Sequence, residues 1–377
     1  MLTVKFGKLS SDGSFVGEVI EGEKKGKKVF TRFVAPGETV LIEPVQEKDK
    51  FILGIARDIV SEPSKERATP KCKHFGVCGG CDLQFISISE QRRAKLEMVR
   101  NLFSTKLKIA KPDQIQMYGG DLPEYHYRNR VRLQVSRDGK VGFFEAGSHE
   151  VVEIKECPIV EEKLAEVLRW CSTETVYCEQ IELSLRQDGE VNLVPIKGRF
   201  KPDSKPPSGV NILSYKKTPS YDLFSQVNKK ANQALVNFVV KNIQGESITE
   251  FYAGSGNFSF PLFQVGKKVI AVESSRELVE RATGKGVKFI CSQAEKYSRQ
   301  NTIEGSVLLD PPRGGAKECV EAFGSKVDEI VYVSCNPATL GRDIEILQKK
   351  GLTLELVTLF DMFPQTAHIE AVAVLRR

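Results

Sequence analysis

The sequence predicts an α/β protein in which a doubly wound, Rossmann-like C-terminal domain follows a small N-terminal β-barrel and a central α+β domain. Three observations support this prediction. Residues 1–60 alternate short apolar stretches with glycine-containing turns, residues 61–222 mix strand and helix patterns around clustered cysteines, and residues 223–377 alternate apolar strands with helices. Evenly spaced short strands are typical of small barrels, and alternating strands and helices are typical of a mostly parallel sheet.

Composition limits the classes of function. The chain has 377 residues, 41% of them apolar, which is enough for two or three domains with their own cores. A net charge of +6 is compatible with a polyanionic partner but does not require one. No secretion-signal pattern and no run of about 18 apolar residues is present, so we expect a cytoplasmic protein that makes no membrane contact. We also expect a monomer.

The first 60 residues contain four strand-like stretches, separated by glycine or by the turn APGE. An oligonucleotide-binding type of barrel and another small β module both fit this pattern, and the sequence leaves the two open. Residues 61–70, SEPSKERATP, are typical of a linker. The central region then begins with cysteines, continues with a basic helix-like stretch at 88–108, and ends in the polar run KPDSKPPSG.

A glycine loop opens the C-terminal domain. The strand in ITEFYAGSGNF runs into Gly254, and the next strand ends at Glu273. Glycine lets a ligand approach the backbone closely, and an acidic residue about 20 positions later can accept hydrogen bonds from ribose hydroxyls. This pattern indicates an adenosine site. Because Ser259 replaces the third glycine of the dinucleotide fingerprint, a methyl donor is favoured over a nicotinamide, although a plain glycine turn with a surface glutamate stays open.

Two further residues follow strands of the same predicted sheet. Asp310 ends the apolar strand in VLLDPPRGG, and Cys335 ends the strand in VYVSCNPATL. Carboxyl ends of parallel strands form the crevice in which α/β sheets bind ligands, so these residues and Gly254 should converge. Arg313 occupies the position where amine-directed methyltransferases carry an aromatic residue, which argues against an amine as methyl acceptor.

Cys335 stands where a helix should begin. Asn336 is a favoured N-cap residue and Pro337 a favoured first helical residue. The positive end of the helix dipole should therefore lower the pKa of the thiol, although a lone buried cysteine at a strand end is usually inert. His368 and Glu370, at the head of a later strand, are candidates for proton transfer.

Four cysteines are spaced as ligands. Cys72, Cys78 and Cys81 lie close together, and Cys157 can supply a fourth thiolate. Four thiolates suit either zinc or a [4Fe–4S] cluster, and spacing alone does not decide between them. The remaining cysteines, Cys171, Cys178, Cys291 and Cys319, show no such pattern and are expected to be buried apolar residues.

Together these motifs resemble the uridine-C5 RNA methyltransferase family, which forms 5-methyluridine in ribosomal and transfer RNA. The resemblance covers nearly the whole chain. The similar motifs are CKHFGVCGGCDLQ for the iron–sulfur cluster, FSQVN for a cofactor-side glutamine, DPPRGG and SCNPATL for catalytic loops, and AHIEAVAVL for a general base. The N-terminal barrel is similar to the RNA-binding TRAM domain of several members.

The resemblance implies a role for each matched residue. Cys335 would be the nucleophile and Glu370 the base. A [4Fe–4S] cluster would bind Cys72, Cys78, Cys81 and Cys157, and the helix near 88–108 would pack on the catalytic domain. The residues expected to line the S-adenosylmethionine and uracil site are Gln226, Tyr252, Asn257, Glu273, Gln293 and Asp310.

The chemistry of uracil fits these residue types independently. C5 is a weak nucleophile, and addition of a thiolate at C6 converts the ring into an enolate that can accept a methyl group. A base must then remove the C5 proton. The uridine should be single-stranded or flipped out, because a stacked base cannot be attacked from above.

Rival interpretations remain at this point. A barrel together with a cluster favours large-subunit ribosomal RNA, with transfer RNA as the alternative. The electron chemistry of a redox or radical protein does not explain Cys335, Asp310 and Glu370. A non-catalytic RNA-binding protein would transfer no methyl group. Arg130 and Arg132 share one strand face and are either phosphate contacts or ordinary solvated charges.

Overall fold

A computed structural model describes residues 1–214, 226–284 and 286–377, and it divides them between two compact units. The first unit comprises Met1–Met98, Pro123–Lys229 and Phe363–Ala367, and the second unit comprises Val99–Leu122, Lys230–Met362 and His368–Arg377. The predicted boundary between residues 222 and 223 lies outside the described residues, as do Phe224 and Ser225 of the FSQVN motif. The bounds 1–60, 61–222 and 223–377 therefore stay predictions.

The N-terminal residues form a closed barrel whose strand order is β1-β2-β3-β5-β4. Its strands are β1 (Leu2–Leu9), β2 (Phe15–Val19), β3 (Lys28–Thr31), β4 (Thr39–Glu47) and β5 (Phe51–Ile59). Alternate side chains point inward, and Val4, Phe6, Phe15, Ile42 and Ile52 are almost fully buried. The structure confirms the predicted barrel.

The predicted linker is a packed segment. Glu38 is buried beside it, and its carboxylate accepts hydrogen bonds from the backbone of Ser64 at 3.0 Å and from Nε of Arg67 at 2.6 Å. A buried carboxylate is costly without a paired cation, which explains why this chain segment is held against the barrel. Leu83 and Phe85, which follow the segment, complete the barrel core.

The predicted basic helix at 88–108 is divided. It consists of α1 (Ile88–Arg100) and a π-helical turn over Asn101–Lys106. A short 3₁₀ turn (Pro112–Gln114) and strand β6 (Ile115–Met117) follow. Residues 99–122 belong to the second unit, in which Gly341 lies close to Leu107 because an added Cβ would come within 2.4 Å of that side chain.

A six-stranded sheet follows in the first unit, counted over the described residues, with strand order β12-β11-β10-β7-β8-β9. Its elements are β7 (Arg130–Val135), β8 (Val141–Phe144), β9 (Val151–Glu153), α2 (Glu162–Cys171), β10 (Val176–Leu185), β11 (Val191–Phe200) and β12 (Val210–Ile212). The carboxylate of buried Glu182 pairs with Arg130 and, at 2.7 Å, with Arg132. Arg130 is 11% exposed and Arg132 54%, so Arg132 is the more accessible of the two to RNA.

The second unit contains a twisted sheet of eight described strands in the order β15-β14-β13-β16-β17-β19-β18-β6. The elements are α3 (Lys229–Asn242), β13 (Ser247–Phe251), α4 (Ser259–Gln264), β14 (Lys268–Glu273), α5 (Arg276–Ala282), β15 (Lys288–Cys291), α6 (Ala294–Gln300), β16 (Gly305–Leu309), α7 (Lys317–Ala322), β17 (Val327–Ser334), α8 (Pro337–Lys349), β18 (Thr353–Phe360) and β19 (Glu370–Arg376). Strands β13 to β17 are parallel, whereas β19 is antiparallel to both β17 and β18. The predicted alternation of strands and helices is confirmed. In the described part of the chain, no helix combines the length and apolar character that a bilayer crossing requires.

Candidate active site

The predicted residues of the C-terminal domain meet at one edge of this sheet. β13, β14, β16 and β17 are parallel, so their carboxyl ends lie together. Tyr252, Asp310 and Cys335 each come directly after one of these strands, and Glu273 is the last residue of another. The structure thus places them in the crevice where such sheets bind ligands.

The glycine loop has the backbone conformation that the sequence predicts. Gly254 has a φ of 56° and Gly256 a φ of 91°, values that glycine adopts without strain. Tyr252 has a φ of 61°, which costs a side-chain-bearing residue about 1–3 kcal/mol and is typical of functional loops. A Cβ at Gly256 would lie 2.5 Å from the ring of Phe260, so both close packing and conformation require glycine there.

Glu273 fixes this loop to the next strand. Its carboxylate accepts hydrogen bonds from the backbone of Gly254 at 2.9 Å and of Ser275 at 2.7 Å, and from the Ser274 hydroxyl at 3.1 Å. A carboxylate has about four acceptor sites, so capacity is left for a ribose hydroxyl.

The remaining predicted cofactor residues are held by neighbours that sequence reasoning missed. The Tyr252 hydroxyl donates to Glu295 at 2.7 Å, and Asn257 exchanges amide hydrogen bonds with Asn232 on α3 at 2.9 and 3.1 Å. No local motif marks Glu295 or Asn232, because both contacts join segments distant in sequence.

Two further predicted cofactor residues are Gln293 and Gln226. Gln293 is exposed at the start of α6 and lines a surface groove of about 490 Å³ with Lys296 and Arg299. Gln226 belongs to the first unit, where its backbone carbonyl accepts a 3.0 Å hydrogen bond from the Asn129 side chain. Their roles stay predictions.

Helix α8 begins where the sequence predicts. Asn336 is the N-cap, and its side-chain oxygen accepts a 3.1 Å hydrogen bond from the backbone of Ala338, while Pro337 is the first helical residue. Cys335, half-buried, therefore lies next to the helix N-terminus.

The predicted lowering of the thiol pKa is wrong, because the surroundings of Cys335 raise that pKa. Burial raises the pKa of Cys335, Glu370 and Asp310 raise it further, and Arg313 opposes them. Desolvation disfavours the thiolate, and two nearby carboxylates repel it. The thiol is therefore mainly protonated at neutral pH.

Glu370 reaches the same edge because β19 runs antiparallel. Residue 371 pairs with Ser334 at the carboxyl end of β17, so the head of β19 lies beside Cys335. Burial raises the pKa of Glu370 well above its ordinary value, with Asp310 adding to the effect, and burial raises the pKa of Asp310 to about 7. Carboxyl groups with raised pKa values are suited to accept and hold protons. His368 is exposed.

The four predicted ligand cysteines lie together in the first unit. Cys72, Cys78, Cys81 and Cys157 line one cavity of about 190 Å³, which Gln84, Arg128 and Arg132 also line. Burial raises the pKa of Cys81 and of Cys157 to about 12, and neighbouring thiols add to the effect. Across residues 1–214, 226–284 and 286–377, no group of three or more His, Cys, Asp or Glu side chains is placed to hold a metal ion.

The expectation for the other cysteines is correct in three cases. Cys171, Cys178 and Cys319 are buried. Cys291 is exposed, because it ends β15 at the outermost position of the sheet where no further strand covers it, so its assignment as a buried residue was wrong.

Comparison with known proteins gives a consistent result. Residues 210–288 and 295–377 match the model of the tRNA (uracil-5-)-methyltransferase family. The chain is 31% identical to the 23S rRNA (uracil(1939)-C(5))-methyltransferase RlmD of Legionella pneumophila (strain Paris), covering 100% of this chain and 97% of that protein. It is also 31% identical to an uncharacterized RNA methyltransferase of Bdellovibrio bacteriovorus, with 98% and 94% covered.

The fold has a solved counterpart. The crystal structure of Pyrococcus abyssi tRNA (uracil-54, C5)-methyltransferase in complex with S-adenosyl-L-homocysteine superposes with a TM-score of 0.72. The match covers 99% of this chain and 100% of the Pyrococcus abyssi chain, and the two sequences are 23% identical. At this identity the likeness shows the fold alone.

Proposed function

The chain belongs to the uridine-C5 RNA methyltransferase family, and we propose that the uridine it methylates lies in large-subunit ribosomal RNA. It is an S-adenosylmethionine-dependent RNA (uracil-C5)-methyltransferase. Two observations support the ribosomal substrate. Relatives named for 23S rRNA align over at least 84% of their length, and the transfer RNA enzyme that shares the fold is only 23% identical.

The glycine loop fits S-adenosylmethionine, which supplies an electrophilic methyl group on a sulfonium. Gly254 leaves open space at the carboxyl end of β13, since an added Cβ would meet no atom within 4 Å. Glu273 retains acceptor capacity beside it for ribose hydroxyls. We assign Tyr252, Asn257 and Asp310 to the same site, with Gln226 and Gln293 as further contacts.

The observation that carries the proposal is the meeting of Cys335 and Glu370 at one sheet edge. Because the thiol is protonated at rest, its proton must first pass to a neighbouring carboxylate or to solvent. Sγ then bonds to C6 of uracil, and the π electrons of the C5–C6 bond make C5 nucleophilic. C5 bonds to the methyl carbon while the bond from that carbon to the sulfonium sulfur breaks, and the sulfur leaves as the neutral thioether S-adenosylhomocysteine. Glu370 afterwards takes the C5 proton, the C5–C6 double bond forms again, and the bond from C6 to Sγ breaks.

We further propose that Cys72, Cys78, Cys81 and Cys157 hold a [4Fe–4S] cluster. Four thiols that line one cavity match the ligand set of a [4Fe–4S] cluster. Gln84 lines the same cavity, and its side-chain oxygen accepts a 3.1 Å hydrogen bond from the backbone of Cys72, which fixes the segment that carries the first thiol. The cluster would cross-link two chain segments, 72–81 and the one around Cys157, and we assign it a structural role or one in RNA positioning.

RNA contact is assigned to the first unit. Its barrel resembles a TRAM domain, and Arg132 is half-exposed on the neighbouring sheet. We propose that the target uridine is single-stranded or flipped out, that the protein acts as a monomer, and that it works in the cytoplasm.

The substrate is tested by offering two RNAs in one reaction. The purified protein is incubated with labelled S-adenosylmethionine and equal amounts of unmethylated large-subunit ribosomal RNA and unmethylated transfer RNA. We expect label in 5-methyluridine from the ribosomal RNA. Label confined to transfer RNA would favour the alternative substrate, and label in neither RNA would contradict the proposal.

A further inference from the structure

A buried polar cluster lies directly behind the catalytic edge, and the chemistry above does not use it. Asp343 on α8 and Tyr332 on β17 are both fully buried. The Tyr332 hydroxyl donates to the Asp343 carboxylate at 2.7 Å. The backbone N–H of Ala316 points at both groups, 2.8 Å from Asp343 and 3.0 Å from the Tyr332 oxygen. Removing a buried carboxylate with such partners destabilises the fold, because the buried donors would lose their acceptor.

Ala316 ends the loop 311–316, which leads from Asp310 to α7, and α8 binds this loop at several points. The Asn336 side chain donates to the Arg313 carbonyl at 2.9 Å, and the Thr339 hydroxyl donates to the same carbonyl at 3.2 Å. Arg342 donates to the Gly314 carbonyl at 3.0 Å and to Asp343 at 2.8 Å. The loop backbone is therefore fixed to the helix that begins after the nucleophile.

Gly315 shows how closely the loop approaches this helix. It has a φ of 77°, and a Cβ there would lie 2.6 Å from Arg342 and 2.7 Å from Asp343. Only glycine fits such an approach. The anchoring restricts the backbone of the loop, while the Arg313 side chain itself is exposed at the edge of the site.

Arg313 is the cation that acts on Cys335. It opposes the raising of the thiol pKa by burial and by the carboxylates of Glu370 and Asp310. During addition to uracil, negative charge forms on Sγ and then passes to the ring. A guanidinium held in place beforehand stabilises that charge without having to reorganise.

We propose that Asp343 and Tyr332 are positioning residues for methyl transfer, which act by holding the loop 311–316, and with it Arg313, against the start of α8, where the Asn336 side chain next to Cys335 donates to the Arg313 carbonyl. Neither residue touches the reacting atoms. Their effect reaches the thiol through the loop backbone and the guanidinium. The inference rests on the nucleophilic role assigned to Cys335 above.

The test measures thiol reactivity and turnover in the full-length protein. Tyr332→Phe removes one hydroxyl and leaves the hydrogen bond from Ala316 to Asp343. We expect kcat to fall about tenfold with little change in KM for S-adenosylmethionine, as is typical when a transition-state interaction is lost. The pH at which Cys335 becomes half-reactive toward iodoacetamide should rise, with Glu370, Asp310 and Arg313 as the charged groups that face the thiol.

A double-mutant cycle separates positioning from plain stability. Arg313→Gln should reproduce the shift in thiol reactivity, and adding Tyr332→Phe to it should produce no further shift, because the route through Arg313 is already lost. Tyr297→Phe is the matched control, since it removes a tyrosine hydroxyl on α6 in the same unit, and it should change neither measurement. Thiol reactivity is measured before RNA is added. The shift in the variant can therefore be absent while the wild type still methylates RNA, so failure of this inference is distinguishable from failure of the proposed function.

Two results would overturn the proposal. The first is that Tyr332→Phe lowers thermal stability while kcat and the thiol profile stay those of the wild type. The second is that its effects add in full to those of Arg313→Gln. If Tyr332→Phe does not fold, Thr339→Val tests the same loop without disturbing buried residues, and an unchanged thiol profile in that variant would equally contradict the proposal.

Discussion

Replacing Glu370 by glutamine separates methyl transfer from release of the RNA. Glutamine has almost the shape of glutamate but cannot accept the C5 proton. Glu370 is 5% exposed, and burial raises its pKa well above the ordinary value, so this site favours the neutral carboxyl, whose shape the amide shares. The amide should therefore change the free energy of unfolding by less than about 1 kcal/mol. Turnover should fall by about 10²–10⁴-fold, the usual contribution of a positioned base.

The lost activity should appear as a trapped complex. Cys335 can still add to C6 and the methyl group can still transfer, but the methylated uridine stays attached to sulfur. The assay is a denaturing gel of Glu370→Gln with substrate RNA and labelled methyl donor, in which we expect a slowly migrating labelled band. Glu345→Gln, an exposed glutamate on α8, is the control and should turn over normally. The band should be absent when Cys335→Ala is added. Normal turnover by Glu370→Gln would refute the reasoning and show that another group is the base.

Further predictions concern the nucleophile, the metal, the pH dependence of turnover and the pH dependence of folding. Cys335→Ala should bind S-adenosylmethionine as the wild type does in calorimetry, because the glycine loop does not involve the thiol. The same variant should form no covalent RNA species. Weakened cofactor binding would count against this prediction. Protein purified without oxygen should contain about four irons per chain, and stoichiometric zinc without iron would contradict the cluster. Single-turnover release of methylated RNA should speed up as pH rises through the raised pKa of Glu370, since only the carboxylate is a base, and Glu370→Gln should abolish that dependence. Burial raises the pKa of Glu250 to about 8. Between about pH 4.5 and 8, the folded state therefore keeps a proton that the unfolded chain releases. Because of this group, the free energy of unfolding should fall by about 1.4 kcal/mol per pH unit over that window. Denaturant titrations of Glu250→Gln should show a smaller decline over that window, and an identical decline would refute the assignment.

Local chemistry explains what the sequence predicts well. The start of α8 follows from Asn336 and Pro337, whose preferences act within one turn. The glycine loop follows from the need for positive φ at Gly254 and Gly256. The barrel and the α/β sheet follow from apolar periodicity.

Contacts between distant segments account for what the sequence misses. The pKa of Cys335 rises because the fold buries the thiol and because β19 and β16 bring carboxyl groups to it, which no inspection of residues 331–340 can reveal. In the sequence, Tyr332 and Asp343 are ordinary strand and helix residues. Their shared contact with the backbone N–H of Ala316 is visible only in the folded structure. Gln84 lies inside a quoted cysteine motif, yet its place in the lining of the cavity is visible only once the fold brings Cys157 to the other three thiols.

Mass spectrometry of the complex trapped by Glu370→Gln tests the central claim most directly. After digestion with trypsin and ribonuclease, the peptide Val327–Arg342 should carry one methylated uridine nucleotide, and fragmentation should place it on Cys335. An unmodified peptide, or a nucleotide attached to any other residue, would contradict a mechanism in which Cys335 bonds to uracil during methyl transfer.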